Sequence, residues 1–251
     1  MRILLTNDDG IHAPGLALLE RIAAELSDDI WVCAPAEEQS GAGHSLTLHM
    51  PVRLQEHGAK RFAVTGTPTD AVNLALRKLF SDRRPDLIIS GINNGENLAD
   101  DVTYSGTISA AMEGALAGMK AVALSQALRD GGHGFAAAEK WAANVLQPLL
   151  DMPLARRTLV NVNFPAVAAS DVRGIRVVRQ GFHDYARGSL VEGTDPRGRP
   201  YFWFGLDDVE HTLDHGTDLE AVDDGYIAVT PLHVDLTHYA SIGQLAESYA
   251  E

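Results

Sequence analysis

The sequence contains a single cysteine, Cys33, among 251 residues. One thiol cannot close a disulfide within the chain, so a secreted, disulfide-stabilised fold is disfavoured, and we interpret Cys33 as a buried strand residue. No run approaches the roughly 18–20 apolar residues of a membrane span, and no basic segment followed by a long apolar one opens the chain. We therefore expect no membrane span and no signal peptide, and predict a cytoplasmic protein.

Positive charge is also scarce, since 20 Lys and Arg residues face 34 Asp and Glu residues, for a net charge of −14. Such a surface repels polymeric nucleic acid and anionic membranes, because binding them requires clustered basic side chains. A small anionic substrate can still bind where a local cation offsets the negative field. A metal ion would supply that cation.

Several familiar catalytic motifs are missing. The chain has no Walker A loop, and no Gly-x-Gly-x-x-Gly follows its first strand, which argues against NTPases and dinucleotide-binding enzymes. Asn7 stands where a haloacid-dehalogenase-type phosphatase needs its aspartate nucleophile. His211 and His215 lack the adjacent glutamate of a zinc protease, so we interpret them as solvated histidines. His12 and His44 lie in candidate site loops, and we assign neither a role.

The first half of the chain alternates short β-branched runs with helical patterns, which is typical of βα units and a largely parallel sheet. After about residue 170 the rhythm changes, so we predict a core over 1–170 and a C-terminal part over 171–251 of the same domain. That part includes a hairpin with the aromatic run 201–204, expected to pack on the main domain or another subunit, and a closing helix. Strands are predicted at 3–6, 30–34, 45–54, 61–65, 86–90, 121–125, 158–164, 175–179 and 226–230, and helices at 14–26, 71–80, 108–118, 134–150 and 236–249.

The strongest local feature is the pair Asp8-Asp9, which directly follows the first buried strand and precedes Gly10. Ligands of open α/β sheets bind at the carboxyl ends of strands. Two adjacent carboxylates there repel each other unless a cation neutralises them, and both can bind one ion only if the chain has turned, which Gly10 permits. The alternative is that Asp8 caps a turn and Asp9 is solvated.

Other predicted strand ends offer possible partners. Ser40 and Asn93 present neutral oxygens, and oxygen ligands favour Mg²⁺ or Mn²⁺ over zinc. Ser105-Gly106-Thr107 stands before a helix and could offer a phosphate hydroxyl groups, backbone N–H groups and a helix dipole. A plain N-cap by Ser105 or Thr107 explains those residues equally well.

Ordered motifs along the chain resemble those of the survival protein E (SurE) family. The resemblance rests on five stretches and extends more loosely over nearly the whole sequence. The five stretches are Thr6-Asn7-Asp8-Asp9-Gly10, Gln39-Ser40-Gly41 with Gly43-His44-Ser45, Gly66-Thr67-Pro68-Thr69-Asp70, Ser90-Gly91-Ile92-Asn93 with Gly95 and Asn97, and Tyr104-Ser105-Gly106-Thr107 with Glu113-Gly114.

The resemblance implies a Rossmann-like three-layer αβα fold with a C-terminal β-hairpin arm used in homodimers or homotetramers. It implies a nucleoside 5′-monophosphate phosphatase, with possible activity on 3′-monophosphates and short polyphosphate, and one divalent metal, Mg²⁺ or Mn²⁺. The family's metal ligands fall on Asp8, Asp9, Ser40 and Asn93. Its phosphate-binding positions fall on Asn97 and on Ser105, Gly106 and Thr107.

Our sequence-based hypothesis is metal-assisted hydrolysis in which Asp8 or Asp9 accepts a proton from water. Two alternatives stay open. One is a broad-specificity acid phosphatase for which nucleotides are incidental substrates, and the other is a nucleotide-binding regulatory module without turnover.

Overall fold

The computed structural model describes residues 1–129, 134–183, 190–204 and 214–250, and it has the predicted α/β architecture with a nine-stranded, mostly parallel sheet. The strands are β1 (Arg2–Thr6), β2 (Asp29–Pro35), β3 (Leu54–Gly58), β4 (Arg61–Val64), β5 (Leu87–Asn94), β6 (Lys120–Gln126), β7 (Thr158–Phe164), β8 (Ile175–Val177), β9 (Leu190–Thr194), β10 (Pro200–Phe204) and β11 (Ile227–His233). The helices are α1 (Pro14–Leu26), α2 (Pro68–Leu74) with a π-helical turn (Ala75–Leu79), a 3-10 helix (Ala99–Thr103), α3 (Gly106–Leu116), α4 (Ala136–Asp151), α5 (Asp218–Asp223) and α6 (Tyr239–Ser248).

The main sheet has the strand order β3-β4-β2-β1-β5-β6-β7-β11-β8. β1 lies between β2 and β5 and is parallel to both, whereas β3 and β11 run antiparallel to β4 and β7. The carboxyl ends of β2, β1 and β5 therefore meet along one edge. As a result, the loops that follow these three strands lie next to one another.

Alternation along β1 explains why the sheet is covered on both faces. Ile3 and Leu5 belong to the core cluster formed with α1 and α4, while Leu4 belongs to the cluster formed with α2 and α3. All three side chains are fully buried. Successive strand residues point to opposite faces, so a continuous apolar run is what a three-layer αβα fold requires of its central strand.

The predicted strand over 45–54 is wrong, because residues 45–53 form no strand and β3 begins at Leu54. The N–H and hydroxyl groups of Thr47 both bind the carboxylate of Asp70, at 3.1 and 2.6 Å. Such side-chain bonds compete with sheet pairing. The first three apolar side chains of the alternation that suggested a strand are exposed, up to 86% at Leu48.

A buried carboxylate joins the C-terminal part of the chain to the middle of the sequence. Asp218, at the start of α5, accepts hydrogen bonds from the N–H groups of Gly181 at 2.8 Å, Leu219 at 3.0 Å and Ala99 at 3.1 Å. Ala99 begins the 3-10 helix with a φ of 48°.

The short helix α5 was not predicted, since six residues carry too little periodicity to be recognised.

The hairpin β9–β10 forms a separate two-stranded sheet and, within the described residues, pairs with no strand of the main sheet. Every residue of β10 is exposed, up to 93% at Phe204, and α6 has no buried residue. Within the described residues the hairpin therefore does not pack on the main domain, and the other predicted arrangement, packing on another subunit, stays a prediction. Cys33, in contrast, is buried in β2 as predicted, and burial raises the pKa of its thiol to about 12.

No helix in the described ranges has the length and apolar character needed to cross a bilayer.

Gly15 provides a test of the packing between α1 and β5. A Cβ atom at Gly15 would lie 1.9 Å from the carbonyl oxygen of Ile92, which belongs to the sheet backbone and has little freedom to move. We predict that Gly15→Ala lowers the free energy of unfolding by about 1–3 kcal/mol in urea denaturation. Gly243→Ala in α6 is the matched control, because nothing lies within 4 Å of its Cβ position. A neutral Gly15→Ala would contradict this packing.

Candidate functional site

The chain turns sharply where β1 ends, as the sequence predicts. Gly10 has a φ of 98°, which favours glycine, and the Nδ2 group of Asn7 donates to the carbonyl oxygen of Gly10 at 2.9 Å. This turn places Asp8 and Asp9 at the carboxyl edge of the sheet, beside the loop that follows β2. A Cβ atom at Gly10 would lie 3.2 Å from the backbone of Glu37, so glycine also permits close approach of that loop.

Asp8 is held by two other segments of the chain. Its carbonyl oxygen accepts a hydrogen bond from the N–H group of Gln39 at 2.8 Å, and its Oδ1 atom accepts one from the hydroxyl group of Thr107. A Cβ atom at Gly106 would lie 2.7 Å from Asp8 Cβ, so only glycine allows α3 to approach this closely. Asp8 is 5% exposed and fixed in position.

Ser40 lies in the loop after β2 and Asn93 near the end of β5, and these two strands flank β1. Ser40 is exposed, and its hydroxyl group donates to Glu38 Oε1 at 2.8 Å. Asn93 lies inside β5, which extends to Asn94 and thus beyond the predicted end at residue 90. Its Nδ2 group donates to the carbonyl oxygen of Gly95 at 2.9 Å, which leaves the amide oxygen for another partner.

The four predicted metal ligands therefore occupy the same edge of three adjacent strands. Asp9 accepts a hydrogen bond from the backbone N–H group of Asn94, which links it to the end of β5, as Gln39 links Asp8 to the loop after β2. Sequence reasoning missed Glu38, whose charge acts on both Asp8 and Asp9. The feature of the sequence that could have identified Glu38 is its position two residues before the candidate ligand Ser40.

The electrostatics of this edge are unfavourable for two negative charges. Burial raises the pKa of Asp8, an effect opposed by the hydrogen bond from Thr107. Burial and then the charge of Asp8 raise the pKa of Asp9 from its ordinary 3.8 to about 6. No cationic side chain among the described residues contributes to either shift. Two acids without a compensating positive charge are what a cation-binding site requires.

The donor set also fits a hard cation. The described residues contain no cluster of three or more His, Cys, Asp or Glu side chains suited to a metal. The candidate set has two carboxylates and draws its other oxygens from a hydroxyl and an amide, Ser40 and Asn93. Carboxylate, hydroxyl and amide oxygens suit Mg²⁺ or Mn²⁺.

The residues predicted to bind phosphate divide into two groups. Ser105 caps α3, since its hydroxyl oxygen accepts a hydrogen bond from the N–H group of Ile108 at 3.1 Å, and Gly106 and Thr107 lie against Asp8. Asn97 belongs instead to a buried polar network, where its Nδ2 group donates to Ser125 at 2.8 Å. Its carbonyl oxygen accepts from the side-chain amides of Asn161 and Asn163.

The histidines differ in their surroundings. His44 Nε2 is 3.0 Å from Glu113 Oε2, so its ring connects the loop after β2 to α3, and the ring of His12 is 5.5 Å from that of His57. His215, interpreted as solvated, is exposed and contacts Glu220 at 2.9 Å. His211 lies outside the described residues.

The family model described as "Survival protein SurE" matches residues 3–187, well over half of the chain. The chain belongs to the SurE family. It is 64% identical over 251 residues to a protein of Erythrobacter litoralis named "5'-nucleotidase SurE", covering 99% of this chain and 100% of that one. A protein of Rhizorhabdus wittichii with the same name is 58% identical over 253 residues, with coverage of 99% and 100%. The crystal structure of the SurE protein from Aquifex aeolicus superposes with a TM-score of 0.86 at 36% identity and covers 100% of both chains.

The acid pair predicts an unusual pH dependence for this SurE protein without metal. Because the pKa of Asp9 is higher in the folded than in the unfolded chain, the folded state binds the proton more tightly. The free energy of unfolding should therefore fall as the pH rises from about 4 to about 6 and stay lower above that range. We predict that Asp9→Asn raises it at pH 7.5 by about 1–2 kcal/mol, a value reduced for partial exposure.

Urea denaturation in EDTA at pH 4.5 and pH 7.5 would measure this effect. Asp82→Asn is the matched control, because Asp82 is an exposed acid that precedes β5 at the opposite edge of the sheet. An Asp9→Asn variant less stable than the parent at pH 7.5 would show that the acid pair is compensated in another way.

Proposed function

We propose that this SurE protein is a divalent-metal-dependent phosphatase that hydrolyses nucleoside 5′-monophosphates to nucleoside and phosphate. It is an enzyme of the phosphomonoester hydrolase class, as its family and its relatives indicate. The observation that carries the finer proposal is the pair of buried Asp8 and half-buried Asp9, whose raised pKa values no cationic side chain of the described residues offsets.

Asp8, Asp9, Ser40 and Asn93 would hold the ion, which when bound would withdraw charge from the phosphate and lower the pKa of water. The carboxylate of Asp8 already accepts a hydrogen bond from the Thr107 hydroxyl group, so Asp9 is the more available of the two to accept a proton from the attacking water. The start of α3, with Ser105 at its N-cap, offers backbone N–H groups and a positive dipole end to the remaining phosphate oxygens.

Asp8→Asn tests the metal-dependent mechanism. The amide keeps the shape of the side chain and its bond to Thr107 but removes the negative charge that holds a cation. We predict that phosphate release from AMP in excess Mn²⁺ falls by about 100-fold or more, with circular dichroism unchanged. Asp82→Asn should keep full activity. Parental turnover by Asp8→Asn, or by the parent in EDTA, would refute the proposal.

The proposal also predicts a preference for nucleotides. If the substrate is a nucleoside monophosphate, kcat/KM for AMP or GMP should exceed that for p-nitrophenyl phosphate by about tenfold or more, because base and ribose add contacts. Equal values would favour the broad-specificity acid phosphatase. Tight binding of GMP without phosphate release in excess Mn²⁺ would favour the regulatory module.

Further parts of the proposal concern range, assembly and location. We extend the activity to 3′-monophosphates and short polyphosphate on the family resemblance alone. We propose a homodimer or homotetramer, supported by the exposed aromatic side chains of β10, of which Trp203 is 67% and Phe204 93% exposed. A cytoplasmic location is supported by the single cysteine of the chain.

A further inference from the structure

A cleft of about 340 Å³ opens between the loop after β2 and the loop after β4. Its volume lies within the ~300–1,000 Å³ typical of small-molecule sites. Ala36, Val64 and Met50 contribute apolar surface, while Gln39 and threonines from both loops contribute polar groups. The two loops join at the floor, where the N–H group of Ala36 donates to the carbonyl oxygen of Val64 at 2.8 Å.

The walls of this cleft are fixed by one buried carboxylate. Asp70 accepts hydrogen bonds from the N–H and hydroxyl groups of Thr47 on one wall and from the N–H group of Thr67, at 2.9 Å, on the other. The hydroxyl group of Thr67 in turn donates to the carbonyl oxygen of Ser45 at 2.7 Å. These bonds fix the irregular segment 45–53 as one wall of the cleft, so the cleft is formed before any ligand enters.

The cleft also adjoins the candidate active site. Gln39 lines the cleft, and its backbone N–H group bonds to Asp8 at 2.8 Å. On the other wall Thr67 is followed by Pro68, whose Cγ atom would lie 3.0 Å from a Cβ atom at Gly106, the same position that Asp8 approaches to 2.7 Å. A molecule whose phosphate binds beside Asp8 could therefore extend its other end into the cleft.

Gln39 and Met50 are, besides the acidic Glu37, cleft side chains that a ligand can contact. The side-chain amide of Gln39 makes no hydrogen bond within the described part of the chain, and it can both donate and accept. Met50 is 57% exposed at the rim, and a flexible thioether packs well on flat rings. Of the described residues that line the cleft, none is basic, which disfavours a second phosphate there.

We propose that this cleft binds the base of the nucleotide, with Gln39 bonded to the polar edge of the base and Met50 packed on its face. An aromatic heterocycle joined to a phosphate by one sugar matches the chemistry and position of the cleft. This inference rests on the proposed function, since it assigns the part of the substrate that lies beyond the phosphate.

The test compares AMP with ribose 5-phosphate, which has the same sugar and phosphate but no base. We predict that the ratio of kcat/KM for AMP to kcat/KM for ribose 5-phosphate, measured with Mn²⁺, falls by about tenfold in Met50→Ala and in Gln39→Ala. Leu48→Ala is the matched control, because Leu48 is 86% exposed on the same segment and does not line the cleft. Its ratio should equal that of the parent.

A second measurement is independent of turnover. Isothermal titration with adenosine, which has no phosphate, should show binding to the parent and to Leu48→Ala and weaker binding to Met50→Ala and Gln39→Ala. Unchanged ratios and equal adenosine affinities in all variants would overturn the assignment of the cleft. If the parent hydrolyses neither ester, the proposed function fails, and the adenosine titrations alone decide whether the cleft binds the base.

Discussion

Burying two adjacent carboxylates at the end of a central strand is the constraint on which the rest of this site depends. Burial raises the pKa of both Asp8 and Asp9, and no cationic side chain among the described residues lowers either pKa. Their neighbours reduce the cost locally, since Thr107 donates a hydrogen bond to Asp8 and Asn94 donates one to Asp9. Such bonds compensate only part of the desolvation of a charge, so the pair is stabilised further by binding a proton or, as we propose, a divalent cation.

At this edge of the parallel sheet, a small number of residues each serve several purposes. Gln39 fixes the backbone of Asp8, precedes the candidate ligand Ser40 and lines the cleft. On the other side, α3 approaches so closely at Gly106 that any larger residue would displace Asp8. The loop after β2 and the start of α3 thus enclose the same two acids from opposite sides, and their rigidity determines the geometry of the site.

Sequence reasoning succeeded where local patterns and tertiary packing agree. The apolar runs of β1, β2 and β7 and the periodicity of α1 are reproduced closely by the structure, because buried strands and amphipathic helices leave clear signals. It failed at residues 45–53, which form no strand and where Asp70, more than twenty positions away, binds Thr47. Nothing local distinguishes such a segment from a half-buried strand.

At the site, the sequence motifs identified the candidate residues but not the contacts that hold them in position. The family resemblance identified Asp8, Asp9, Ser40 and Asn93, and the structure places them near the carboxyl ends of three adjacent strands. The bond between Thr107 and Asp8 joins residues 99 positions apart, and the position of Asn97 in a buried amide network depends on β7. Contacts of such separation leave no trace in local composition.

The bond between Asp218 and Ala99 has a consequence for synthesis on the ribosome. The two residues are 119 positions apart, and the short 3-10 helix that begins at Ala99 leads directly into Ser105 and α3. A nascent chain that has emerged only through β7 carries all the residues of the acid pair and its loops, yet lacks the carboxylate that fastens this segment. The segment that leads into α3 therefore gains this anchor only after Asp218 has left the exit tunnel.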